Sequence, residues 1–270
     1  MTGLPFPDID PVALYLWGGF GIRWYALAYL AGILLGWSYA GYLADLDRDR
    51  RPNREDIDNL IPLIVLIGII VGGRLGYVLF YNFGYYLGNP AEILRVWEGG
   101  MSFHGGLAGV AIVCTVYAWR NKIPLLALGD IFATVAPIGI FFGRIANFIN
   151  GELYGRVTTL PWAIQFPHGG HLPRHPSQLY EALLEGLLLF TVLYFAARKP
   201  AIRRTPGVLL GIFIAGYGIS RFIVEFFREP DVQIGLLMDY FTMGQLLSLP
   251  MIALGAYLIF HVRKPARTAK

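Results

Sequence analysis

The chain has 270 residues, 56% of them hydrophobic and only 15% charged, with 33 glycines and a mean hydropathy of +0.53. Soluble domains carry roughly 25% charged residues, so a soluble globular fold is excluded. The net charge of +4 comes from basic residues gathered in short segments between apolar runs, a pattern of membrane sidedness and not of nucleic-acid affinity.

The N-terminal stretch, Met1 to Pro11, is acidic and contains proline, so it does not read as a cleavable signal peptide, and the first apolar run is expected to act as its own insertion signal. The apolar runs are about the 20 residues a spanning helix needs and lack the ten-residue alternation of barrel strands, which predicts an all-α bundle. Spans are predicted at residues 24–44, 57–81, 102–119, 124–148, 176–197, 206–227 and 240–262, seven in a single membrane-embedded domain. Arg48, Arg50, Arg51 and Arg54, then Arg120 and Lys122, then Arg198, Lys199, Arg203 and Arg204, and finally Arg263, Lys264, Arg267 and Lys270 fall on one side. The positive-inside rule puts that side in the cytoplasm, the N-terminus outside and the C-terminus inside. With no organelle signal, a bacterial inner membrane is the simplest home. Cys114, the only cysteine, lies mid-run between Val113 and Thr115, which excludes an internal disulfide and argues against a metal–thiolate cluster.

Two outer loops, 82–101 and 149–175, are long and rich in Gly, Pro and aromatic residues, and are expected to form a small extracytoplasmic subdomain. In the first, Asn89-Pro90-Ala91-Glu92 predicts a short interfacial helix with an N-cap and a capping-box glutamate. In the second, Thr158, Thr159, Trp162, Ile164 and Phe166 suggest an extended or hairpin segment. Small residues four apart, Ala28, Gly32, Gly36 and Ala40 in one run and Gly68, Gly72 and Gly76 in the next, predict close helix packing.

Polar groups recur at the outer ends of these helices. The stretch from Gly143 to Arg156 carries Arg144, Asn147, Asn150 and Glu152 out of an apolar run, although such side chains are costly in hydrocarbon. Arg74, His104, Gln178, Tyr180, Glu181 and Glu185 lie in outer halves, and Tyr217, Arg221 and Glu225 are spaced by four in a stripe that ends near Arg228. Arg23 and Tyr25 sit at the mouth of the first helix. Plainer readings exist for each: a snorkelling arginine at Arg144, structural ion pairs for Arg221 with Glu225 or Arg74 with Glu181, and a helix-end histidine at His104. Gly105 and Gly106 after His104 would let a phosphate approach free backbone N–H groups. His168, His171 and His175 have spacings that could bind metal, but lack interleaved Cys or carboxylate ligands.

The run from Gly143 to Gly155 resembles the signature of the prolipoprotein diacylglyceryl transferases at Gly143, Arg144, Asn147, Phe148, Asn150, Glu152 and Gly155. Further matches are Ile22 to Tyr25, Gly72 to Tyr77, Gly100 to Gly106, His175 to Glu181 and Tyr217 to Arg228, so the likeness covers nearly the whole chain. The resemblance implies an inner-membrane enzyme, its active site toward the outer leaflet, that moves the diacylglyceryl group of phosphatidylglycerol onto the lipobox cysteine of a prolipoprotein signal peptide and releases glycerol phosphate. It implies that His104, Arg144 and Arg221 are catalytic. It also implies that Tyr25, Asn147, Glu152, Gly155, Tyr217 and Glu225 join Arg144 and Arg221 in binding substrate, and Arg74 is expected in that set from its position. No metal or organic cofactor is called for.

The residue types suit that chemistry. A substrate thiol is mostly protonated at neutral pH, and an imidazole such as His104 is a suitable base. Arg144 and Arg221 can hold an anionic leaving group by two-point hydrogen bonds. Glu152, Glu181 and Glu225 read as groups that orient the arginines. The alternative class, a lipid- or anion-binding transporter, would show polar groups along the whole path, whereas the inner halves are nearly all apolar.

Overall fold

A computed structural model describes residues 3–16, 18, 21–229 and 241–261. The C-terminal basic residues Arg263, Lys264, Arg267 and Lys270, and positions 240 and 262 at the ends of the last predicted span, lie outside them. The protein is mostly helical. Five helices are long and apolar enough to cross a membrane: α1 (Trp24–Asp45), α2 (Arg54–Phe80), α5 (Leu125–Ile149), α6 (Ser177–Ala197) and α9 (Met243–His261). Two more apolar helices are α4 (Phe103–Arg120) and α8 (Val208–Val224), of 18 and 17 residues. Two short helices, α3 (Phe83–Gly88) and α7 (Pro200–Arg203), lie between longer ones.

The chain forms two compact units, Met1–Tyr39 with Asp130–Lys270, and Ala40–Gly129. In the second unit, α2 starts three residues before the predicted run because Asn53 and Asp56 form a reciprocal capping box, each accepting at 2.9 Å from the other's backbone N–H. Asp56 also pairs with Arg51, which donates to the Asn121 carbonyl at 2.8 Å. Pro62 has no N–H to give to the helical ladder, and just beyond it α2 widens into a π-helical stretch, Ile64–Val71, closed by the Gly72 N–H on the Ile67 carbonyl. The glycine stripe of α2 meets α4 backbone to backbone: a Cβ on Gly105 would lie 2.5 Å from the Gly72 oxygen and 2.7 Å from the Gly76 Cα, so only glycine fits.

In the first unit, Gly32 of α1 faces Gly139 of α5, where an added Cβ would stand 3.0 Å from the Gly139 Cα. Asp130, buried on α5, accepts at 2.7 Å from the backbone N–H groups of both Gly207 and Leu210. It thereby caps α8 from another helix, and those donors left unpaired would cost about 1–3 kcal/mol each.

Short strands complete this unit. β1 (Leu4–Pro5) pairs in parallel with β4 (Ile164–Gln165), and β2 (Val12–Tyr15) pairs antiparallel with β3 (Gly21–Arg23). The extended segment expected around Ile164 is thus paired with the N-terminal strand as well as bridging to Arg174. Phe6 packs against Phe148 and Phe166 at ring distances of 5.5 and 5.4 Å, and Tyr154 against Phe166 at 5.3 Å, an aromatic core for the loop.

Candidate functional site

Arg144 lies in the last turns of α5, Glu181 and Glu185 four apart on α6, Arg221 near the end of α8, and Glu225 and Arg228 just past it. Gly186 lets α6 approach α5 closely, since a Cβ there would stand 2.8 Å from the Phe141 Cα. The result is a network of charged side chains. Arg144 reaches Glu181 Oε2 at 3.2 Å and Glu185 Oε2 at 3.4 Å. Arg221 donates to Glu181 Oε1 at 2.8 Å and pairs with Glu225, while Arg228 reaches the same Glu181 oxygen at 3.0 Å and Glu225 Oε1 at 3.4 Å.

Burial orders this network. The side chains of Glu181 and Glu185 are fully buried, whereas those of Arg144 and Arg221 are 19% and 20% exposed. Buried carboxylates persist only when paired, and the arginines that pair them are also the groups an incoming molecule meets first. Each guanidinium has five N–H donors in a planar fork, more than the carboxylates use. Tyr217, on the same helix as Arg221, lies within electrostatic reach of Arg144, Arg221, Glu181 and Glu185.

A second group follows α5. The Asn147 side chain donates to Glu152 Oε1 at 2.7 Å and its carbonyl accepts from the Glu152 N–H at 3.1 Å, while Gln178 donates to the Glu152 carbonyl at 2.5 Å. The turn holding Glu152 has positive φ at Gly151 (65°) and at Leu153 (57°). A left-handed leucine is strained and persists only where its surroundings hold it, here with Ser177 Oγ donating to the Leu153 carbonyl at 2.9 Å. Gly155 donates to the His175 carbonyl at 2.9 Å and sits so close to the Phe227 oxygen that a Cβ would meet it at 2.2 Å. Tyr25 packs against Tyr29 with the rings tilted and 5.1 Å apart, and Tyr29 feels the charges of Arg144 and Glu152. His175 packs beneath Phe227, ring to ring at 5.2 Å, and burial holds its imidazole below the ordinary range.

The remaining candidates belong to the second unit. His104 is exposed on the first turn of α4, edge-on to Phe103. The free N–H groups expected after it are occupied: Gly105 donates to Ser102 Oγ and Gly106 to the Ser102 carbonyl, and Gly105 serves helix packing. Arg74, counted with the substrate-binding residues from sequence, is buried and turned onto the backbone, bonding the carbonyls of Glu92, Ile93, Gly99 and Gly100 at 2.6–3.1 Å. The capping box at Asn89 does not form; Asn89 donates to the Tyr85 carbonyl, and Pro90–Leu94 is a 3₁₀ turn. Its Glu92 side chain goes to Arg95. Among the described residues, no group of three or more His, Cys, Asp or Glu is arranged to hold a metal ion.

A model of the family described as prolipoprotein diacylglyceryl transferase matches residues 11–261. The chain belongs to the prolipoprotein diacylglyceryl transferase family. It is 52% identical to the phosphatidylglycerol–prolipoprotein diacylglyceryl transferase of Rhodospirillum centenum over 100% of this chain and 99% of that one. It is 54% identical to the protein of the same name in Azospirillum brasilense, over 98% of both chains. The like-named protein of Rhizobium meliloti is 52% identical over 98% of this chain and 96% of its own.

In this diacylglyceryl transferase-family chain, the structure joins Arg144, Arg221 and Glu225 in one network and ties Asn147 to Glu152 in the turn after α5, with Gly155 just beyond it against His175 and Phe227. It adds Glu181, Glu185 and Arg228, which stand outside the catalytic and substrate-binding residues read from sequence, although Glu181 was among the groups expected to orient the arginines. The signal for two of them was there: Gln178, Glu181 and Glu185 recur at helical spacing, one polar face in an apolar run.

Proposed function

We propose that this multi-pass membrane protein is an enzyme that transfers the diacylglyceryl group of phosphatidylglycerol to the thiol of a lipobox cysteine in a prolipoprotein, leaving a thioether and glycerol phosphate. The sulfur–carbon bond forms as the carbon–oxygen bond to phosphate breaks, the electron pair leaving with the phosphate oxygen. His104 is assigned to the thiol proton. Arg144 and Arg221 are assigned to the phosphate, whose charge they neutralise as the bond breaks. Tyr25, Asn147, Glu152, Gly155, Tyr217 and Glu225 shape and orient the substrate site. Arg74 acts through the loop whose carbonyls it holds.

The observation that carries this reading is the meeting of two partly exposed guanidiniums on one carboxylate, Glu181, which supports a pair of arginines able to hold a single two-oxygen anion. The test is thiol-dependent release of glycerol phosphate by purified protein given phosphatidylglycerol and a lipobox peptide. Release with the cysteine peptide and none with a serine peptide is expected; lipid binding without release would overturn transfer and favour a transporter.

Seven crossings, with the N-terminus outside an inner membrane and the site toward the outer leaflet, fit the strand pairing. Residues 4–5 pair with 164–165, so an even number of crossings separates them. Of the helices between, α1, α2 and α5 meet the length and apolarity of a span, and α4 supplies the fourth crossing. Gly155 likewise bridges to Arg228, so α8 crosses if α6 does. An impermeant thiol reagent on intact cells is expected to label a cysteine placed at Trp162 and not one placed at Arg51; the opposite pattern would reverse the orientation.

A further inference from the structure

We propose that Arg228 is a positioning residue that keeps the carboxylates behind Arg221 neutralised, freeing Arg221 to turn its remaining N–H groups to an anionic lipid headgroup. This rests on the proposed reading of the site as a phospholipid-phosphate site. Both carboxylate oxygens that Arg221 contacts carry a second guanidinium, and in each case it is that of Arg228: Glu181 Oε1, at 2.8 Å from Arg221 and 3.0 Å from Arg228, and Glu225 Oε1.

Arg228 is not placed to seize the ligand itself. Its side chain is only 13% exposed, less than those of Arg144 and Arg221. Its carbonyl accepts from Arg156 Nε at 2.8 Å, and the chain beside it is held by the Gly155 bridge and by the Arg156 N–H on the Phe227 carbonyl. The side chain therefore extends from a fixed backbone onto the two carboxylates.

Charge counting gives the consequence. Arg144, Arg221 and Arg228 stand against Glu181, Glu185 and Glu225, three cations to three carboxylates. When a phosphate draws hydrogen bonds from Arg221, Glu181 and Glu225 are left with less compensation in a desolvated place, which is costly. Arg228 covers that deficit. Without it, the carboxylates hold Arg221 more tightly and the surplus negative charge repels the headgroup.

The test compares phosphatidylglycerol affinity with turnover at saturating lipid for the purified parent, Arg228→Gln, Arg228→Lys, and Arg228→Gln combined with Glu181→Gln, each checked for folding by thermal unfolding. Arg228→Gln is expected to weaken lipid affinity roughly tenfold, the loss of one charged hydrogen bond's worth, and to lower saturated turnover much less. Arg228→Lys keeps the charge but loses the planar fork, and should fall between. The double variant restores the charge balance and should bind better than Arg228→Gln alone, a recovery that a purely structural role gives no reason to expect.

Parent-like affinity in folded Arg228→Gln, or a folded double variant no better than that single one, overturns the inference. If Arg228→Gln does not fold, Arg228→Lys decides: weakened affinity with saturated turnover kept supports the role, and parent-like affinity removes it. A parent protein that fails to bind phosphatidylglycerol would instead overturn the reading of the site, a distinguishable result.

Discussion

Arg144→Lys and Arg221→Lys are each expected to lose about 10- to 100-fold in turnover, the worth of one or two charged hydrogen bonds, while the protein stays folded. Lysine keeps the charge but presents a compact ammonium where the planar fork makes two contacts. In the structure that fork is in use, since Arg144 spans Glu181 and Glu185 while Arg221 spans Glu181 and Glu225. Because both arginines lean on Glu181, they should act as a unit, and the double variant should add little to either single one. Initial rates of glycerol phosphate release, with lipid binding measured in parallel, check this. Folded lysine variants with parent-like binding and turnover would show that the arginines serve only the bundle, and simple additivity would show that they do not share one phosphate.

His104→Ala should reduce turnover by about 100-fold or more, the usual scale of a lost general base, with expression and membrane insertion unchanged. The structural reason to expect an intact protein is that the imidazole is exposed on the first turn of its helix, while neighbouring Ser102 and Gly105 carry the cap and the packing. His104→Gln separates two roles, because glutamine can hydrogen-bond a thiol but cannot take its proton. Activity close to the parent's across pH 6 to 9 in that variant would remove proton transfer from the account.

Much of the helical framework was legible because apolar runs of spanning length leave few alternatives, and because the glycines at fourfold spacing have a single good use in close packing, seen at Gly72, Gly76 and Gly105. Helix ends were less so: α2 begins at Arg54 on a capping box that the apolar run did not reveal, whereas the box expected at Asn89 is absent because its groups are committed elsewhere, the Asn89 N–H and side chain to the Tyr85 carbonyl and the Glu92 carboxylate to Arg95. Spacing alone does not report which partner claims a group. The same limit applies to Arg74, whose position near a helix end was readable but whose carbonyl partners are 18 to 26 residues away along the chain. In the charged network, sequence spacing put Arg221 with Glu225. That Glu181 would be shared by three arginines depends on how α5, α6 and α8 pack, which no one helix's periodicity contains.

The pairing of Leu4–Pro5 with Ile164–Gln165 also sets a timetable. At a synthesis rate of about 5–20 residues per second, the second strand leaves the ribosome roughly ten to thirty seconds after the first. During that interval α1, α2, α4 and α5 are made while the N-terminal strand and Phe6 wait without Ile164 and Phe166. The loop's aromatic core therefore closes late in biogenesis, after the early helices have been handed to the bilayer, and a bulky fusion ahead of Leu4 would burden that late closure more than the insertion of any single helix.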